Sequence, residues 1–401
     1  MKINMLRTTG AHFVSHSISV KDVLDLLVLS SGFLYAYSRI WVHQDDYSTG
    51  LNPLSNLPYG LFAVFCLCVL IKVAYLIKSK TKVSWNNVAR MAICCLVAFL
   101  YYKFVGDFSL LISTAIGAVL IDRDTNYYIR YTGLLALLFM LLQIIGYYAG
   151  LFFDIPLFSS KSGWLRDTPS GSVLRIAFGY GHPNRPFAYL IPVWVATLCF
   201  EGRIRKLLLL ACVLLSGFLY VTTWSRTIVL MVAVILLVYF FRRVGNVRLV
   251  AGRYMWHIFP VCLMISIIIS LLFGGNDNFI NNILSLRPTW WKEYVISGFS
   301  LFGPSAQSAQ LFDYGVPLDN YTLDVLYRGG LLVTIMDPCW YALYHRRIAN
   351  SGQNDSALFA VLILFIYGFS ESNLRFIMAP YLPAMATTII YEIKHRGRNS
   401  R

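Results

Sequence analysis

The sequence predicts an all-α, polytopic integral membrane protein with about twelve transmembrane helices. Hydrophobic residues make up 57% of the 401 residues and charged residues only 13%, whereas a soluble domain carries roughly 25% charged residues. Apolar runs long enough to cross about 30 Å of hydrocarbon recur along the whole chain. So few charges cannot cover a soluble surface, which excludes a soluble enzyme, a disordered protein and a coiled coil.

These apolar runs form one predicted transmembrane domain over residues 1–401. The stretch before the first run lacks a cleavable signal, so we expect that run to remain as a membrane anchor. All eight cysteines lie in apolar stretches and show neither a disulfide framework nor a metal-ligand spacing. The run at 107–121 is short. The predicted spans are 22–42, 57–78, 87–103, 107–121, 131–151, 186–201, 207–223, 226–241, 255–273, 321–343, 355–370 and 375–392.

The distribution of charge fixes the predicted topology. The net charge is +15, from 34 basic and 19 acidic residues. With the N-terminus in the cytoplasm, the inner side collects 23 basic and 8 acidic residues, and the outer side 11 of each. The whole excess lies on one side, as the positive-inside rule expects. This predicts a multi-pass protein with both termini in the cytoplasm, and the charge needs no nucleic-acid partner to explain it.

Two long polar segments interrupt the apolar pattern, and the topology places both outside. They cover 152–185 and 274–320 and are rich in Gly, Pro, Asn, Ser and aromatic residues. Within the second, Leu286–Val295 predicts a short amphipathic helix on the outer surface, because Trp290 and Trp291 are typical of a membrane interface. Function is therefore sought in these segments.

Four arginines lie at the predicted outer boundary and are candidates to bind an anion. They are Arg226, in a tight turn between two apolar runs, Arg287, beside the tryptophan pair, and Arg175 and Arg185. A cation on this side has no topological benefit, and an ionisable group at the edge of the hydrocarbon usually has a partner or ligand. The guanidinium fork suits phosphate because it bonds in a bidentate manner and keeps its charge. Solvated loop positions are the alternative.

Polar and acidic side chains accompany these arginines. His182 and Asn184 follow a glycine-rich turn, and Asp319 and Asn320 precede a predicted helix. Helix capping is the alternative role for Asp319. Glu371 lies in another tight outer turn, where it either orients an arginine or is solvated. Asp324 and Arg328 are spaced to pair on one helix face.

At this point the chain resembles a family. Gly181-His-Pro-Asn184, Trp224-Ser-Arg226, an external loop with Arg287 followed by Trp290, and Asp319-Asn-Tyr321 occur in that order. With the many spans, this resembles the Wzy-type polymerases of bacterial polysaccharide repeat units, which are relatives of the O-antigen ligases. The resemblance covers roughly the C-terminal two thirds of the chain. It implies a protein of the bacterial cytoplasmic membrane that joins oligosaccharides carried on undecaprenyl pyrophosphate at the outer face, with no metal and no cofactor.

The resemblance also implies partners and roles. A chain-length regulator and a flippase are the expected protein partners, besides the lipid-linked oligosaccharide and the bilayer. The four arginines would bind the pyrophosphate. The ligases place a histidine where this chain has Asp319, which favours a polymerase and leaves the base open between Asp319, His182, Glu371 and none. The expected contacts to glycan or lipid are Asn184, Trp224, Trp290, Trp291, Asn320 and Tyr321.

Three other functions compete with this one. An O-antigen ligase or another lipid-linked glycosyltransferase would share the chemistry. A flippase or other transporter should carry charges deep in its spans, whereas these spans are nearly free of charge, with Asp337 the clearest exception. A purely structural protein would not need two external segments that carry arginine.

Overall fold

The computed structural model describes residues 19–42, 56–81, 83–105, 108–121, 123, 125–151, 165–168, 171–180, 182–241, 254, 257–275, 279–284, 286–351, 356–371, 387 and 390. About 80% of this part is helical, which confirms the all-α prediction. By contacts the chain divides into two compact units, Met1–Ser84 and Trp85–Arg401.

The first unit contains α1 (Val20–Val42) and α2 (Leu57–Lys78). The second contains the remaining elements, which are α3 (Trp85–Val105), α4 (Ser109–Val119), α5 (Thr125–Tyr148), β1 (Leu165–Thr168), β2 (Gly171–Leu174), α6 (Arg185–Ala196), α7 (Gly202–Thr223), α8 (Arg226–Phe241), α9 (Ile258–Phe273), α10 (Phe279–Ile283), α11 (Arg287–Ser297), α12 (Ala306–Asp313), α13 (Tyr321–Ser351) and α14 (Ser356–Ser370).

In the first unit, α1 and α2 pack on each other around a buried ion pair. Lys72 Nζ lies 2.5 Å from Asp25 Oδ1, and both side chains are fully buried. A buried ammonium and a buried carboxylate each need the other, because removing one leaves an uncompensated charge. Farther along the two helices, the ring centroids of Tyr35 and Phe62 lie 5.3 Å apart. The sequence had not singled out this pair, so the spans carry more buried charge than expected.

Within the described residues, three helical segments are long and apolar enough to cross a membrane: Leu57–Lys78, Asn126–Tyr148 and Gly202–Thr223. Shorter apolar helices are Ser109–Val119, Arg226–Phe241, Ile258–Phe273 and Phe359–Phe369. These lengths and compositions support membrane association, and the count of twelve spans stays a prediction. Helix α4 rises only about 16 Å, much less than the hydrocarbon thickness. The last predicted span, 375–392, lies outside the described residues except for 387 and 390.

Helix α6 forms much of the core of the second unit. Ten of its twelve residues are buried, so this helix is enclosed by other parts of the protein. Its apolar composition alone would suit a helix that faces lipid equally well. Trp194 Nε1 donates to Ser216 Oγ of α7 at 3.1 Å. On the other side, a Cβ at Gly133 of α5 would collide with Ala196 Cβ. The close contact between α5 and α6 therefore requires glycine at this position.

The two polar segments contain more regular structure than predicted. Strands β1 and β2 form an antiparallel hairpin in which Leu165 pairs with Leu174, and α10, α11 and α12 follow one another in the second segment. That segment docks on a kink in α13 at Gly330, where φ is +80°. A Cβ at Gly330 would lie 2.8 Å from the Leu301 carbonyl oxygen. The kink thus brings the segment against the start of α13.

Candidate functional site

Seven of the side chains singled out from the sequence meet in one place in the second unit, together with Thr227. We call this group the charged cluster. Its members come from the loop before α6, the starts of α6, α8 and α11, the residue before the α13 cap, and the end of α14. They are Arg175, His182, Asn184, Arg185, Thr227, Arg287, Asp319 and Glu371.

Glu371 is the centre of the charged cluster. It directly follows α14, and its side chain is 1% exposed. Its Oε1 accepts hydrogen bonds from Asn184 Nδ2 at 2.9 Å, Arg287 Nη2 at 3.1 Å and Thr227 Oγ1 at 3.3 Å. These donors stand at the N-terminal ends of α6, α11 and α8, where the helix dipoles contribute positive potential. Glu371 is therefore not solvated, and it is bonded directly to an arginine.

Arg287 joins both carboxylates of the cluster. Its Nη2 lies 3.6 Å from Asp319 Oδ2, and the Arg287 and Asp319 side chains are 13% and 29% exposed. The arginine begins α11 directly after Leu286, whose positive φ of 64° turns the chain into the helix. Within the described part of the chain, its Nη1 and Nε make no hydrogen bond. These two nitrogens are therefore available to another acceptor.

Arg175 fixes the orientation of Asn184. Its Nε donates to the Thr223 carbonyl at 2.6 Å, and its Nη2 donates to Asn184 Oδ1 at 2.8 Å. With Oδ1 occupied as an acceptor, the Asn184 Nδ2 group is directed to Glu371. Arg185, at the first position of α6, donates from Nη1 to the Tyr180 carbonyl at 3.1 Å. Its remaining nitrogens are without partners among the residues that the structure describes, so Arg185 can also receive an anion.

His182 is held as a neutral imidazole. Its Nδ1 accepts a hydrogen bond from the Asn184 backbone N–H at 3.1 Å. Burial, followed by the positive charges of Arg185, Arg175 and Arg287, lowers the pKa of His182 from 6.5 to about 3. A neutral imidazole with so low a pKa attracts a proton weakly, so His182 is a poor base in this site.

The two carboxylates shift in the opposite direction. Burial raises the pKa of Glu371 from 4.5 to about 7, against the charge of Arg287 and with the help of Asp319. Burial also raises the pKa of Asp319, although Arg287 and Arg185 oppose it. Neighbouring arginines alone would lower the pKa of a carboxyl group, but desolvation outweighs them at Asp319. Burial thereby moves the pKa values of both carboxyl groups toward neutral pH, and a catalytic pKa near the working pH makes proton transfer efficient.

The raised pKa of Glu371 predicts a pH dependence of stability. Between pH 4.5 and about 7 the folded state binds more protons at Glu371 than the unfolded state, so its contribution to stability falls as pH rises through this window. Glutamine mimics the protonated acid. We expect Glu371→Gln to match the wild type at pH 4.5 and to be more stable at pH 8, by up to about 3 kcal/mol.

Apparent melting temperatures in detergent from pH 4.5 to 8 measure this difference, with the exposed Glu293→Gln of α11 as the matched control. Because the pKa of His182 is lowered, its contribution rises with pH between about 3 and 6.5 and partly hides that of Glu371 in the wild type. The comparison of variant with wild type removes this overlap. Parallel curves for Glu371→Gln and the wild type would contradict the prediction.

Asn320 connects the start of α13 to the end of α14. Its Oδ1 accepts from the Leu323 N–H at 3.1 Å, so Asn320 caps α13 and Asp319 does not. Its Nδ2 donates to Ser266 Oγ at 2.8 Å and to the Phe369 carbonyl at 3.1 Å. Asn320 is fully buried. It thus positions Asp319 beside Glu371 and leaves the Asp319 carboxylate available to Arg287.

The predicted aromatic contacts divide into two groups. Trp291 is 1% exposed and meets Phe369 edge to face at 6.1 Å, and Tyr321 is 4% exposed. Both lie in the protein core, because α11 and α13 turn these residues inward. Trp290 and Trp224 are only partly buried. If aromatic residues of this group contact glycan or lipid, these two have the accessible surface to do so.

Arg226 lies outside the charged cluster. It begins α8, its side chain is exposed, and within the described part of the chain it has no hydrogen-bond or ion-pair partner. The sequence missed Thr227, the next residue, which reaches Glu371; its position in the Trp-Ser-Arg-Thr turn was the available signal. The predicted pair of Asp324 and Arg328 is confirmed, at 2.7 Å.

The arrangement can bind an anion and take up a proton. Arg185 and Arg287 offer N–H groups, and Asp319 and Glu371 have raised pKa values beside them. Among the described residues, no group of three or more His, Cys, Asp or Glu side chains could hold a metal ion. The chain matches no protein-family model, no curated protein and no solved structure.

Proposed function

We propose that this protein is a glycosyltransferase that polymerises undecaprenyl-pyrophosphate-linked oligosaccharide repeat units into a surface polysaccharide. The reaction takes place at the outer face of the bacterial cytoplasmic membrane. The observation that carries the proposal is the charged cluster, in which arginines meet two carboxylates of raised pKa at the ends of several helices. The motif order of the sequence supports the same class of reaction.

The arginines serve the leaving group. When an acceptor hydroxyl oxygen bonds to the anomeric carbon of the donor, the bond from that carbon to the pyrophosphate oxygen breaks, and negative charge grows on the pyrophosphate. The free N–H groups of Arg185 and Arg287 stabilise this charge. The N-terminal ends of α6 and α11, on which these arginines stand, add positive potential in the same place.

Asp319 is the proposed base. It is 29% exposed, so an acceptor hydroxyl can reach it, whereas Glu371 at 1% acts through Arg287. The proton of the attacking hydroxyl passes to the Asp319 carboxylate and then to solvent. His182, with its pKa lowered to about 3, is the weaker candidate.

The topology is part of the proposal: twelve spans, both termini in the cytoplasm, and the cluster outside. The charge split supports it, because α7 carries basic residues at its first turn, opposite the end that reaches the cluster. In a background with the exposed Cys95 and Cys339 replaced by serine, Gln310→Cys should react with an impermeant thiol reagent in intact cells. Glu201→Cys should react only after permeabilisation. The opposite pattern would contradict this topology.

Cells that lack the protein test the function itself. We expect them to accumulate single repeat units on the lipid carrier at the outer face, and the restored gene to convert these into polymer. A ligase would instead leave long lipid-linked polymer that is not transferred to its acceptor. A flippase would leave single units at the inner face. Of the expected protein partners, a flippase would act before this step and a chain-length regulator during it.

A further inference from the structure

The same nitrogen of Arg287 that contacts Glu371 also faces Asp319. Glu371 therefore contacts the Arg287 guanidinium in the way that a phosphate oxygen of a bound ligand would. It is 1% exposed, so it cannot leave the site when an anion arrives. Any pyrophosphate bound through Arg287 would bring negative charge close to a buried carboxylate that cannot move into water.

Two negative charges in a buried site raise each other's pKa, and the repulsion is relieved when one of the two groups binds a proton. A pyrophosphate esterified on both phosphates has no proton to gain near neutrality. Glu371 does, because burial already places its pKa near 7. By linkage, an anion that favours the protonated form of Glu371 is itself bound more tightly when Glu371 is protonated.

We propose that Glu371 is a positioning residue for Arg287. The ionised carboxylate of Glu371 holds Arg287, and it releases Arg287 to the donor pyrophosphate by taking up one proton from solution. This inference rests on the proposed function. Once protonated, Glu371 still accepts the Asn184 and Thr227 hydrogen bonds on Oε1. The carboxyl group therefore stays in place while the Arg287 guanidinium pairs with the donor pyrophosphate.

Other groups near Glu371 could bind the proton instead. Arg287, Arg185 and Arg175 stay charged, and His182 is kept neutral by the same arginines. Tyr367 of α14 and Tyr189 of α6 are acids that start protonated at neutral pH. Asp319 is the one competing acceptor among these described neighbours, since its pKa is also raised. The experiment must therefore separate Glu371 from Asp319.

The full-length protein in lipid nanodiscs is titrated with a short-chain prenyl pyrophosphate that carries a single sugar, so that both phosphates are esterified. Calorimetry from pH 5.5 to 8.5, in buffers of different protonation enthalpy, gives the affinity and the number of protons taken up. Above about pH 7 the wild-type affinity should fall by up to about tenfold per pH unit, with uptake of about one proton.

Three variants show which carboxylate takes up that proton. Glu371→Gln should bind with the low-pH affinity of the wild type at every pH and take up no proton. Glu293→Gln, the exposed control on α11, should behave as the wild type, and Asp319→Asn should keep the proton uptake. A merely structural role for Glu371 would lower affinity equally at all pH values and would overturn the proposal.

Three outcomes have distinct meanings. Wild-type binding that is independent of pH would overturn the role of Glu371 and leave the proposed function standing. Loss of proton uptake in Asp319→Asn would overturn the assignment to Glu371. Failure of the wild type to bind the probe at any pH would overturn both this inference and the proposed function. If Glu371→Gln does not fold, the wild type and Asp319→Asn still decide the question.

Discussion

Arg287→Ala is expected to lower polymer formation by about 10²–10³-fold while the protein still accumulates in the membrane. Fixed donors that stabilise charge in a transition state have this typical effect, and Arg287 combines partial burial with N–H groups left for the donor. The fold should survive the substitution, because Glu371, with its pKa already near 7, can become neutral when its counter-ion is removed. Polymer length on lipid-linked substrate is the measurement.

Three further variants sharpen this prediction. Arg287→Lys should restore little activity, because lysine keeps the charge and loses the guanidinium fork. Arg203→Ala, at an exposed position in the first turn of α7, is the matched control and should retain activity. The exposed Arg226 lies outside the charged cluster, so Arg226→Ala should lower activity less than Arg287→Ala. Full polymer from Arg287→Ala would remove this residue from the mechanism.

Asp319→Asn should lower the rate by about 10²–10⁴-fold, the typical contribution of a general base. Asparagine keeps the size of the side chain and cannot accept the proton. Because Asn320 caps α13, Asp319→Ser should lose activity as severely as Asp319→Ala, although serine is a good cap. The rate is measured from initial polymer formation at saturating lipid-linked substrate.

Asp313→Asn serves as the control for Asp319→Asn, because Asp313 is an exposed carboxylate at the end of the neighbouring α12. His182→Gln should lose less activity than Asp319→Asn, since His182 is a poor base in this site. If Asp319→Asn and Asp319→Ser both remain active, Asp319 is not the base. Activity lost only in His182→Gln would transfer that role to the histidine.

Much of the charged cluster could be predicted from the sequence. Arg287, Asp319 and Glu371 were singled out because the topology placed each at the same membrane boundary, where an ionisable group needs a partner. That argument groups residues by depth and cannot say which of them touch. The Glu371–Arg287 bond and the exclusion of Arg226 depend on how α8, α11 and α14 pack side by side, and hydropathy carries no information about that packing.

The pKa values were the least predictable part. The sequence supplied the arginines near His182 and Asp319, and hence the expected direction of their electrostatic effects. Burial is the first cause of both shifts, and it can be known only once the surrounding helices are in place. For the same reason the apolar run of α6 predicted a span, although most of this short helix is buried by other parts of the protein.

The central claim is tested most directly with the purified protein in lipid vesicles that contain undecaprenyl-pyrophosphate-linked repeat units. No nucleotide sugar and no other protein is added. We expect a ladder of lipid-linked polymers, with release of undecaprenyl pyrophosphate for each bond formed and no ladder from Arg287→Ala vesicles. Repeat units that stay single with correctly folded wild-type protein, or that only move between the leaflets, would contradict the proposed polymerase.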